Sequence, residues 1–368
     1  MPSNMNAMPA GVRRSMELLG LFLAGFIIVS GKIIIMPLLM AFFISTLLLP
    51  VFRLLRKLRV PELVAIFLSL LLLTSVVICV IWIFSFQTAN LLNDFSQLQE
   101  TVNKHFDTLS RWINRTFGFS ADAQLKFINA QGSRLFNSAG SILGSAAGSV
   151  SGTLVFLGLM PVYIYLIILY RGLFVKFILK WFQPAQHENV EDILRRIENM
   201  VKRYLGGLLI QILYITILLG LILTVCGIRH ALLIAIIFAF LNLIPYLGAL
   251  VSNILGILIT LASSDSLVDV LIVLGAITVV QFLDNNILMP RIVGGQVKIN
   301  ALASIVGIIT AGAMVGISGM FLALPVMAVL KIIFDHTDHY KQWGILLGDD
   351  RPAKSPVVFK RMKRNRNI

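Results

Sequence analysis

Residues 63–86 read LVAIFLSLLLLTSVVICVIWIFSF, an apolar run with no Asp, Glu, Lys or Arg. A backbone in hydrocarbon must satisfy its own hydrogen bonds, so only a helix or a closed barrel can hold such a stretch in a bilayer. A barrel strand would be about half as long and would alternate apolar with polar residues. This run does neither, and it has the length of a membrane-crossing helix.

The same reading extends in both directions. Upstream, Leu18–Ser30 and Ile33–Leu49 form two spans separated by Gly31-Lys32, and Lys32 can snorkel to the interface. Arg13-Arg14 before the first run resembles the start of a signal peptide, but no small-residue cleavage site follows, so the run reads as an uncleaved first span. The loop Arg53-Leu54-Leu55-Arg56-Lys57-Leu58-Arg59-Val60-Pro61 is densely basic. With Arg13 and Arg14 it predicts a cytoplasmic N-terminus by the positive-inside rule.

Across the chain, 58% of residues are hydrophobic and 13% charged, where soluble domains carry roughly a quarter charged residues. The net charge of +14 does not signal nucleic-acid binding, because the cations sit at the edges of apolar runs and form no stripe on a water-soluble face. The basic end Lys360-Arg361-Met362-Lys363-Arg364-Asn365-Arg366 suits anionic lipid. Cys79 and Cys226 lie within apolar runs and make neither a disulfide framework nor a metal spacing. No cofactor is implied. The fold expected is an all-α integral membrane protein, a polytopic bundle of about eight spans.

The organisation reads as follows. Residues 1–86 hold spans one to three, and 87–139 form an extracytoplasmic insertion. In the insertion Phe95, Leu98, Val102, Phe106, Leu109, Ile113 and Phe117 recur at helical spacing. Residues 140–170 contain Gly140, Gly144, Gly148 and Gly152, every fourth position, and lead into a fourth span ending near Arg171. In a helix these glycines make a smooth packing or oligomer face; the alternative is a flexible connector. Residues 171–204 read as a cytoplasmic amphipathic helix lying along the inner leaflet, with Val190, Ile193, Leu194, Ile197, Val201 and Tyr204 on one face. Residues 205–334 form the C-terminal region, opening with span five at about Leu205–Cys226, and 335–368 a cytoplasmic tail.

The C-terminal region is interrupted three times. Asn242-Leu243-Ile244-Pro245-Tyr246-Leu247-Gly248 breaks one apolar run, with Asn253 beyond it. Asp284-Asn285-Asn286-Ile287-Leu288-Met289-Pro290-Arg291 follows span seven, about Leu267–Leu288. Gly312, Gly316, Gly319 and Pro325 interrupt the last run, 300–334, which is long enough to favour a hairpin. Broken helices at membrane depth line cavities or are buried in protein, and transporters place solute and ion sites there. The candidate pathway residues are therefore Asn242, Pro245, Tyr246, Gly248, Asn253, Asp284, Asn285, Asn286, Pro290, Gly312, Gly316 and Gly319.

Asp284 is the acid nearest a span interior and is a candidate for proton coupling. The plainer alternative leaves it solvated at the span end or paired with Arg291. Asn285 and Asn286 suit contacts to a hydroxylated solute or an ion, or simply cap the span. Asp335-His336-Thr337-Asp338-His339 has metal-compatible spacing but reads as a solvated helix end, so no metal is expected. No catalytic set of an enzyme and no nucleotide-binding loop is legible.

The segments YLGGLLIQ, LNLIPYLGALVSNI, QFLDNNILMPRIVGG and GISGMFLALPVMAVLKII, in this order, resemble the autoinducer-2 exporter-like (AI-2E) family of bacterial membrane proteins. Ala249 departs from the proline that many members have after the glycine. The resemblance covers essentially the whole chain. It implies a non-enzymatic transporter of the bacterial inner membrane with re-entrant hairpins tipped near Asn242–Gly248 and Gly312–Gly319. It also implies a homo-oligomer, such as a pentameric ring, that handles autoinducer-2-like solutes or exchanges sodium for protons. Both termini are expected in the cytoplasm, whether residues 231–262 and 300–334 cross or fold back.

Overall fold

The protein is described here from a computed structural model that covers residues 10–93, 150–244, 247–289, 299–337 and 340–349, with isolated helical positions between 101 and 115. Its described residues form helices and no strand: α1 (Ala10–Ser30), α2 (Lys32–Lys57), α3 (Glu62–Asn93), α4 (Val150–Leu179), α5 (His187–Val225) and α6 (Ala231–Leu241). These are followed by α7 (Leu247–Ser263), α8 (Leu267–Leu283), α9 (Ala301–Val315), α10 (Ile317–Asp335) and α11 (Lys341–Leu347). Six stretches are long and apolar enough to cross a bilayer, and α6, α7 and α9 are shorter apolar helices. The chain is an all-α polytopic membrane protein.

Two helices organise the packing. One face of α2 meets α3 and α4 through Ala41, Leu48, Phe52, Ala65, Ile66, Ile164 and Ile168. Another face of α2 joins α5 and α10 through Met36, Phe43, Val201, Tyr204, Leu205, Leu208, Leu322 and Ala328. Farther along, α5 packs on α6 and α8 through Ile215, Leu219, Leu223, Ile234, Phe238, Val273 and Ile277. Thus α5 runs through both halves of the C-terminal core. The large apolar residues left exposed on α1 and α3, such as Phe22, Phe26, Ile78 and Trp82, suit a hydrocarbon surrounding.

Several sequence expectations change here. The fourth span does not end at Arg171, because α4 continues to Leu179. Arg171 lays its guanidinium 4.8 Å from the centre of the Phe52 ring, a cation–π contact. The amphipathic segment and span five are not separate, since α5 is one helix of 39 residues, about 58 Å long. Its apolar face is not laid on lipid: Val190, Ile197, Val201 and Tyr204 are buried in protein. Pro325 does not interrupt its run but sits buried inside α10. Gly140, Gly144 and Gly148 lie outside the described residues, as does most of the insertion; Gly152 falls in the first turn of α4.

The short helices come in antiparallel pairs. A Cβ on Gly248, at the start of α7, would strike the carbonyl of Leu241 at the end of α6, and one on Gly256 would lie 3.4 Å from Ile234. The residue numbers fall on one helix as they rise on the other, so α6 and α7 fold back on each other. In the same way Gly312 meets Met320 and Gly307 meets Met327, which makes α9 and α10 a second hairpin. Its turn is Gly316, at φ 77° and ψ −152°, a conformation open essentially to glycine alone.

Candidate functional site

The carboxyl of Asp284 is the centre of the site. It is 1% exposed and stands where α8 gives way to a π-helical turn, Asp284–Leu288. The expected interruption at 284–291 is, over its described part, a local widening of a helix that continues to Met289, while Pro290 and Arg291 lie outside the described residues. Inserted π turns re-aim side chains and recur at functional sites.

Two amides reach the same carboxylate oxygen. Gln211 Nε2 donates to Asp284 Oδ2 at 2.8 Å, and Asn242 Nδ2 donates to it at 3.1 Å. Gln211 comes from α5, Asn242 from the end of α6 and Asp284 from the end of α8, so the contact ties three elements at the tip of the first hairpin. Gln211 is 14 residues from the end of α5 at Val225, about 21 Å along the helix. Asp284 is therefore buried in protein and not solvated.

Gln211 was not singled out from the sequence. The available signal was a break in an apolar stripe: Tyr204, Leu208, Ile215 and Leu219 share its face of α5 and are all buried. A lone amide on such a face needs a polar partner, but only the folded chain names Asp284.

Beside the cluster lies an open cleft of about 300 Å³, lined by Asn253, Ile277, Thr278, Gln281, Phe282, Asn285 and Asn286. The expected Asn253, Asn285 and Asn286 are thus brought together. Gln281 Nε2 donates to Asn285 Oδ1 at 3.2 Å, and Asn286 Nδ2 donates to the Phe282 carbonyl at 2.8 Å. Gly248 serves close backbone approach at the first hairpin. Gly312 and Gly319 do so at the second, where a Cβ on Gly319 would strike the Ala311 carbonyl. None of the second hairpin's glycines lines the cleft. Pro245 and Tyr246 lie outside the described residues. In the C-terminal cluster, Asp335 is paired with Lys331 at 2.6 Å, and a His336 ring nitrogen lies 2.8 Å from the Ile332 carbonyl.

A buried carboxylate held by amides at the tip of a broken helix, beside a cleft that Asn253, Asn285 and Asn286 help to line, is an arrangement found in secondary transporters. Comparison with known proteins points to transport: the model of the AI-2E family transporter matches residues 18–339. The chain belongs to the AI-2E transporter family. It is 32% identical over 143 residues to the "Putative transport protein YrrI" of Bacillus subtilis (strain 168), covering 39% of this chain and 40% of that one. The chain thus spans about two fifths of the length of that relative. A longer match, 24% identical over 325 residues, covers 86% of this AI-2E member and 90% of the "AI-2 transport protein TqsA" of Escherichia coli (strain K12). The "Putative transport protein" of Haemophilus influenzae (strain ATCC 51907 / DSM 11121 / KW20 / Rd) is 23% identical over 318 residues, 86% of this chain and 90% of that one.

Proposed function

We propose that this AI-2E protein is a secondary transporter that moves a small polar solute outward, driven by an ion gradient through Asp284. The buried contact of Asp284 with Gln211 and Asn242 carries the proposal. A carboxylate there is costly to keep dry, and it joins a scaffold helix to the tip of a hairpin. A change in its charge state alters what holds that tip. The cleft of Asn253, Asn285 and Asn286 offers amide donors and acceptors to a hydroxylated solute. The name of the E. coli relative points to autoinducer-2 as the first solute to try. The surroundings proposed are the bacterial inner membrane with both termini in the cytoplasm, in a homo-oligomer.

A second reading, sodium/proton antiport without an organic solute, is favoured by the same acid, because Asp284 binds neutral amides and does not itself line the cleft. Purified protein in liposomes separates the two. Under an imposed ion gradient, labelled solute flux supports export, and sodium-dependent pH change without solute flux supports antiport. Asp284→Asn is expected to abolish gradient-driven flux in either case. Full flux with unchanged ion dependence in that variant would remove Asp284 from the mechanism.

A further inference from the structure

We propose that Asp284 and Gln211 form a binding site for one dehydrated alkali cation, sodium in the first instance. The proposal rests on the transport reading above and names the ion that drives it.

The argument begins with oxygens that lack donors. Gln211 Oε1, Gln281 Oε1 and Asp284 Oδ1 are buried and have no hydrogen-bond partner among the described residues. Buried polar atoms are nearly always paired, so unpaired oxygens on both partners of one hydrogen bond, Gln211 and Asp284, ask for a ligand. The orientation of Gln211 is fixed by electrostatics: turning its amide over would set a carbonyl against the carboxylate, so Nε2 faces Asp284 Oδ2 and Oε1 is left bare. Both donors to Oδ2 are neutral amides. The carboxylate is hydrogen-bonded on one oxygen and its charge is not balanced by them.

Another hydrogen-bond donor would cover only part of this deficit. Carboxylate and carbonyl oxygens without nitrogen or sulfur are the ligand set of hard cations. With a single carboxylate, a monovalent ion gives a neutral buried site, whereas a divalent ion would leave a net charge in low dielectric. Gln281 precedes Asp284 by one turn of α8, and it also lines the cleft. Through Gln281 the cleft lies one helical turn from Asp284.

The test is equilibrium binding of radiolabelled sodium to the full chain in lipid nanodiscs, with choline as the ionic-strength control. Wild type should take up about one ion per chain, displaced by unlabelled sodium and not by choline. Asp284→Asn should lose the binding, and Gln211→Leu should weaken it by about tenfold or more. No saturable sodium binding by wild type overturns the site, a result that needs no variant to fold. Unchanged affinity in monodisperse Gln211→Leu overturns it too. Sodium binding without solute flux in liposomes would refute the export reading and keep the site. Solute flux by a protein that binds no sodium would do the reverse.

Discussion

At the level of single residues, close backbone approach decides where glycine is required. Gly248 faces the Leu241 carbonyl and the Asn242 Cα across the hairpin turn, whereas Gly275 on α8 has open space around it. Neither distinction follows from the residue type. Gly248→Ala should lower stability by about 1–3 kcal/mol, because the obstacle is backbone and cannot rotate away. Gly275→Ala should change it by about 1 kcal/mol or less. Thermal unfolding of both variants in one detergent checks the contrast, and equal losses would contradict the hairpin geometry. The candidate site was only partly legible at this scale. Asp284, Asn242 and Asn253 stood out as polar residues in apolar surroundings, whereas Gln211 was hidden because its partner lies 73 positions away.

At the level of elements, the second hairpin is closed by a clasp that no motif announced. Asn300 caps α9 by accepting from Ala303 N at 2.8 Å. Its Nδ2 also donates to the carbonyls of Leu346 and Gly348, at 2.7 and 3.0 Å, and its backbone N–H donates to Leu347 at 2.9 Å. The start of α9 is thereby tied to the end of α11, and Gly344 lets α11 sit against Asp335. A helix of seven residues does not persist alone in water, so α11 depends on this clasp. Asn300→Ala should cost about 1–3 kcal/mol and raise hydrogen exchange throughout α11. Protection of α11 at the wild-type level would show that the clasp is dispensable. Element ends proved less legible than element existence. Proline inside α2, α4 and α10 does not end those helices, because neighbouring helices supply packing that a local rule omits.

At the scale of the whole molecule, the paired short helices settle the direction of travel. The α6–α7 hairpin returns the chain to the end where it left α5, so the turns at 226–230 and 264–266 lie at one end of the bundle and the 184–186 turn at the other. A single crossing over 231–262 would instead separate the first two turns. In a background of Cys79→Ser and Cys226→Ser, Asp265→Cys should react with a membrane-impermeant maleimide from outside intact cells. Gln186→Cys should react only after the membrane is opened. The opposite pattern would refute the hairpin or the orientation drawn from Arg53, Arg56, Lys57 and Arg59.

The sequence by itself determined the class, because transfer of apolar side chains and peptide groups into hydrocarbon depends on composition along the chain and not on distant partners. It also marked the apolar run broken around Pro245, since a backbone break is a local property, and it drew attention to Asp284. Tertiary structure alone decided that α5 is continuous and that its apolar face is covered by α2 and α10. Tertiary structure also brought Gln211, Asn242 and Asp284 to one point. Those outcomes depend on contacts between residues far apart in the chain, and hydrophobic periodicity shows that a face needs a partner without showing which one.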